Sequence, residues 1–200
     1  QPGAAEAHLR EAVALHRAVT GSESAETAAS LHLLSTALRL LSEGANAETT
    51  GQPALKAQRM AEAEAIGEQA LAIRRKHFGD THPVVADTLF ELAQVEGPHR
   101  TMAARQSMLQ QVLAIRRRAF GEEHRSVADA LAGLGSLALL DLNHHEGAQL
   151  HLQALAMRRR VLGDDHPEIA QSLAALGQCY SPEVDRRREA HPRAAVYLGV

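Results

Sequence analysis

Histidine, arginine and cysteine are the side chains of this 200-residue chain whose spacing invites a chemical reading. His144, His145, Glu146 and His151 form the densest group of metal-type donors. The H-E-x-x-H order, which sets two imidazoles on one helix face, is absent, because Gly147, Ala148 and Gln149 follow His145-Glu146. His144 or His145 with His151 would meet across two helical turns and still lack a third ligand, so no metal is expected. His82, His124 and His166 recur every 42 residues. Packed helices lie on the order of 10 Å apart, whereas zinc sits about 2 Å from each ligand. These histidines therefore read as junction residues rather than as one site.

Three basic triplets share that interval: Arg74-Arg75-Lys76, Arg116-Arg117-Arg118 and Arg158-Arg159-Arg160. A cationic column of this kind can meet nucleic acid or lipid headgroups. Here each triplet closes a helix, where cations complement the helix dipole. Asp80, Glu122, Glu123, Asp164 and Asp165 follow closely and offset it. Cys179 beside Tyr180 reads as a small buried residue. It is the single cysteine, which excludes an intrachain disulfide framework and sets a reducing, cytoplasmic expectation. Neither phosphate-binding glycine motif occurs, and no acid–base set clusters, so neither a cofactor nor catalysis is expected.

Composition agrees with a helical scaffold. Hydrophobic residues make up 45% and aromatics only 2%, so Ala, Leu and Val must build the core. Ala and Leu favour helix. The net charge of −3 is not the basic balance of a nucleic-acid binder. No apolar run approaches the roughly 18 residues of a membrane span, and the first ten residues carry no secretory pattern.

The elements behind the recurring residues come from an internal repeat. ALAIRRKHFGDTHPVVADTL (70–89), VLAIRRRAFGEEHRSVADAL (112–131) and ALAMRRRVLGDDHPEIAQSL (154–173) align without gaps at a 42-residue period. A worn copy, AVALHRAVTGSESAETAASL, occupies 12–31. From Gly21 to Gly79 is 58 residues, sixteen more than the period, which places an insertion near 44–59. Its first half reads as a loop, and Pro53 can open the next helix. Each repeat reads as two helices, such as one beginning at Pro83 and one over 101–119 that ends at Gly121. Neither buries its stripe alone, so stacking is required. The expected array fills 1–180: a second helix at 4–20, repeats at 24–78, 83–120 and 125–162, and a first helix at 167–180. Pro182 and Pro192 break 181–200 into an irregular cap or tail. The array begins mid-hairpin, which implies a longer parent protein.

The pattern A-L-x-I-R-R-x-x-x-G-D-x-H-P-x-x-A-x-x-L resembles the 42-residue tetratricopeptide repeat of the kinesin light chain family. Ala70, Leu71, Ile73, Arg74, Gly79, His82, Pro83, Ala86 and Leu89 carry it, and Ala154, Leu155, Arg158, Gly163, Asp164, His166, Pro167, Ala170 and Leu173 repeat it. The resemblance implies an all-α fold, a right-handed superhelical solenoid of stacked antiparallel hairpins, with first helices on the concave face. The family's cargo-gripping L-N-N-L-A motif is missing: Phe90-Glu91, Ala132-Gly133, Ala174-Ala175 and His32-Leu33 stand in its positions.

Carried onto this chain, the concave positions include His32, Asp87, Phe90, Gln94, Asp129, Ala132, Ser136, Gln171, Ala174 and Gln178. No Lys or Arg is among them, so an acidic peptide finds no cation there. The expected function is a non-catalytic scaffold that binds a neutral or basic peptide or helix of another protein, without nucleic acid or membrane. A spacer in a large assembly and an intramolecular sensor for an attached effector domain are the alternatives.

Overall fold

A computed structural model describes residues 2–43, 53–97 and 99–180. Every regular element among them is a helix: α1 (Pro2–Val19), α2 (Ala25–Glu43), α3 (Pro53–Phe78), α4 (Pro83–Gln94), α5 (Met102–Phe120), α6 (Arg125–Leu140), α7 (His144–Leu162) and α8 (Pro167–Cys179). The tail at 181–200 and most of the insertion, 44–52, lie outside the described residues. The rest of the insertion is helical, with Pro53 as the first residue of α3.

The chain divides into two compact units, residues 1–108 and 109–200. In the first, α2 packs against α1 on one side and α3 on the other, and α4 packs on α3. Val13, Leu31, Leu34, Leu38, Met60, Ala63, Ala70 and Val95 form its core. In the second, α6 and α7 make a hairpin and α8 packs on α7. Its core joins Val127, Ala128 and Leu131 of α6 to Ala154 and Met157 of α7, and a smaller cluster joins Leu155 to Ile169 and Leu176. The apolar stripe thus recurs at helical spacing on every first helix. Leu31, Leu38, Leu89 and Leu92 are almost wholly buried, each contributing roughly 1.5–3 kcal/mol.

The junctions repeat in backbone detail. Gly21, Gly79, Gly121 and Gly163 all have positive φ, from 76° to 96°, where a side chain would be strained. Three residues further on, His82, His124 and His166 sit just before α4, α6 and α8. Each accepts a hydrogen bond at Nδ1, from Val84 N at 3.2 Å, Ser126 N at 3.2 Å and Glu168 N at 3.3 Å. They are N-caps, which satisfy an amide that the helix start leaves open. In the worn copy, Ser24 does the same for Thr27 N at 3.0 Å. Phe78 stacks on His82 with ring centroids 4.9 Å apart, and Phe120 on His124 at 4.6 Å.

Two hairpins cross at glycine. A Cβ on Gly67 of α3 would lie 2.5 Å from Leu92 Cδ2 and 2.9 Å from Ser35 Oγ. A Cβ on Gly135 of α6 would lie 2.9 Å from His151 Cδ2 and 3.2 Å from the Gly147 carbonyl. Gly135 therefore permits close packing, and the group it admits is an imidazole.

Candidate partner-binding face

The first helices α2, α4, α6 and α8 carry the ten concave-type positions, four in the first unit and six in the second. None of the ten is buried. Asp87, Ser136, Gln171, Ala174 and Gln178 are exposed, and His32, Phe90, Gln94, Asp129 and Ala132 are half-buried. Leu31, Leu89 and Leu131, each next to one of them in sequence, are buried in the core.

The electrostatics of this face differ from what the row of side chains implies. Asp129 accepts a hydrogen bond from Arg158 Nη2 at 2.7 Å. Arg158 also donates to Ser172 Oγ at 2.7 Å and lies 3.4 Å from Glu168, which pairs in turn with Arg125. The Asp129 carboxylate is thus tied into the packing of α6, α7 and α8. In the first unit Arg39, which is buried, bridges Glu43 at 2.9 Å and Glu91 at 3.0 Å, joining α2 to α4. Burial lowers the pKa of His32, with the Arg74 charge adding to it and Glu91 and Asp87 opposing. Its Nδ1 is shielded and has no hydrogen-bond partner. The neutral imidazole is therefore the form this face holds.

Arg158 lies on a second helix and Arg39 on a first helix at a position outside the ten, so the concave positions reveal neither as a neighbour of this face. For Arg158 the sequence does hold a signal. Arg74 bonds Thr88 Oγ1 at 2.7 Å, and Arg158 bonds Ser172 Oγ at the same distance and the same 14-residue offset. The second copy has Ala130 at that offset, and Arg116 donates instead to the Ser126 carbonyl at 3.0 Å. The leading arginine of each triplet is buried and ties its second helix to the following first helix, a role beyond complementing the dipole. Burial lowers the pKa of Arg74, opposed by Asp87. The middle arginines are paired at the surface: Arg75 with Asp80 at 3.0 Å, Arg117 with Glu122 at 2.9 Å and Arg159 with Asp164 at 3.0 Å. Lys76 pairs with Glu23, and Arg160 with Glu123 at 3.0 Å.

The other chemistry-bearing residues take structural places. His151 is 3% exposed against Gly135, and burial, with Arg158 second, lowers its pKa. His145 is exposed and lies 3.0 Å from the Gln149 amide. Among the described residues no three His, Cys, Asp or Glu side chains are grouped to hold a metal. The Cys179 thiol is buried, donates to the Ala175 carbonyl at 3.3 Å, and is pushed up in pKa by burial. Among the described residues no helix is long and apolar enough to cross a membrane.

Comparison with known proteins agrees with this architecture. Two family models described as tetratricopeptide repeat match the chain, one at residues 54–84 and 103–126 and the other at 137–198, together more than half of it. Among solved structures, the nearly identical TPR-like repeats of a Podosopora anserina protein described as a kinesin light chain superpose with a TM-score of 0.67 in a singly substituted form. A second crystal structure of those repeats gives 0.66. Both are 22% identical to this chain and cover 98% of it and 84% of their own length. BtubC (BKLC) of P. vanneervenii gives a TM-score of 0.56 at 19% identity, covering 100% of this chain and 92% of its own. No curated protein matches the chain.

Proposed function

We propose that this chain, which belongs to the tetratricopeptide-repeat proteins, is a scaffold that holds a peptide or helix of a partner protein against its first helices. Tetratricopeptide repeats generally mediate protein–protein interaction, and such families are generally non-enzymatic. The observation that carries the reading is that none of the ten concave-type positions is buried, while Leu31, Leu89 and Leu131 beside three of them are. Gln94, Gln171, Gln178 and Ser136 offer hydrogen-bonding groups for contact, and Phe90, Ala132 and Ala174 offer apolar ones.

The partner is neutral to basic. No cation stands among the ten positions, and the arginines nearest to them are engaged by Asp129, Glu43 and Glu91. Because Asp129 is held by Arg158, its charge reversal would break an internal pair as well as any partner contact. The informative substitutions are therefore Phe90→Glu and Ala174→Glu, with Ala156→Glu on an exposed second-helix position as control. Each peptide selected from a random display library on the intact chain, in the reducing buffer that a cytoplasmic setting calls for, should lose binding to at least one of the first two variants and keep it to the third. Selected peptides that bind all four proteins equally would refute the first-helix site.

A further inference from the structure

A cleft of about 320 Å³ opens between α1 and α3, away from the first-helix positions above. Leu31 and Leu34 of α2 form its floor, and Val13 of α1 and Ile66 of α3 its apolar walls. Two arginines of α1 stand along it, two helical turns apart, and they differ. Arg10 is engaged by Glu62 at 2.7 Å and Glu6 at 2.9 Å. Arg17 is exposed and donates to the Gln69 side-chain carbonyl at 3.3 Å, and among the described residues no carboxylate pairs with it.

We propose that this cleft is an anchor site for a partner protein segment that presents one apolar side chain with a carboxylate beside it. The apolar side chain fills the space over Leu31 and Leu34, and the carboxylate pairs with Arg17. The volume lies at the small end of ligand pockets, which suits a single side chain rather than a helix. Interfaces concentrate their energy in such filled pockets. The charge selects the neighbour: a guanidinium fork matches a carboxylate in two parallel hydrogen bonds, and the Gln69 amide already orients it. This site takes an acidic segment, whereas the first-helix face takes a neutral to basic one. The two therefore stand or fall separately.

The test uses the whole chain with methyl-labelled Val, Leu and Ile, titrated with the peptide acetyl-Ser-Glu-Leu-Ser-amide. Saturable shifts are expected at the Val13, Leu31, Leu34 and Ile66 methyls, with a dissociation constant on the order of 1 mM. Replacing Glu in the peptide by Lys should weaken binding about threefold to tenfold, the range for an exposed ion pair turned repulsive. Arg17→Glu should invert that preference, and Ala14→Trp, on the same cleft wall, should abolish the shifts. An unchanged melting temperature for both variants certifies the fold, and Arg17→Glu alone decides the matter if Ala14→Trp does not fold. No shift at about 10 mM peptide, equal response to the Lys peptide, or indifference to Arg17→Glu would each overturn the site. Shifts that depend on protein concentration without peptide would assign the cleft to a second copy and overturn it too.

Discussion

Removing one histidine cap isolates the energetics of the junction. His124 accepts from Ser126 N at 3.2 Å, touches Ser126 Oγ at 2.8 Å and carries Phe120 on its ring at 4.6 Å and 18°. His124→Ala loses both contributions. An N-cap is worth about 1 kcal/mol, within a range of about 0.5–2. A stacked aromatic pair adds about 0.5–1.5 kcal/mol. Phe120 is 44% exposed, so the low end applies, and the total is about 1.5–2 kcal/mol. His124→Asn keeps a side-chain acceptor and loses only the stack, so it should cost about 0.5 kcal/mol. Phe120→Leu copies the third repeat, where Leu162 stands at this position, and should match Asn. Urea unfolding followed by far-UV circular dichroism reads the difference, since about 1 kcal/mol moves the midpoint by roughly 0.3–1 M. Equal midpoints for the Ala and Asn variants would refute the cap and leave only ring contact.

Two further predictions use the same assay. Gly67→Ala gains about 1 kcal/mol of helix propensity but drives a Cβ to 2.5 Å from Leu92, an overpacking cost of about 1–3 kcal/mol. It should be neutral to destabilising, whereas Gly177→Ala, with nothing within 4 Å, should stabilise by about 0.5–1 kcal/mol; the reverse order would show that helix crossing does not select Gly67. Burial lowers the pKa of His151 and of His32, so the unfolded chain binds more protons below about pH 6.5. Stability should then fall as pH drops from about 6.5 toward the folded values and stay level above, and His151→Leu, copying buried Leu109 one repeat earlier, should flatten that slope; an unaltered slope would mean His151 is not held neutral.

How much was legible follows from which contacts are local. The junction was, because its parts lie within a few residues: the glycine that needs positive φ, the histidine three positions on, and the proline that opens α4 or α8. Even the worn copy keeps its turn at Gly21, and it exchanges the histidine for Ser24, another cap. The period itself located the helices, since apolar residues at helical spacing return in each copy. Pairing across helices was not legible in the same way. Asp129 and Arg158 are 29 residues apart, and Arg39 and Glu91 are 52 apart. A list of concave positions therefore showed Asp129 as a free carboxylate when packing had already claimed it. The glycine crossings were less legible, because nothing near Gly135 in sequence names His151 as the ring that needs the space.

The same division bears on where specificity resides. The junction glycine and the leading arginine recur at equivalent positions, and so does the buried leucine in Leu31, Leu89 and Leu131; the structure accounts for each through a turn, an interhelix tie or the core. The position after the leucine does not recur in kind: it is His32, Phe90 and Ala132 after buried Leu31, Leu89 and Leu131, and Ala174 after Leu173, which is exposed. None of these four side chains is buried, so burial in the core does not dictate one residue type there. Under the proposed function, variation at this position, set against repetition of the turn and the interhelix tie, is the arrangement by which one scaffold would present a distinct surface to a distinct partner. For that reason Phe90 and Ala174, rather than the recurring arginines, are where partner choice should be sought first.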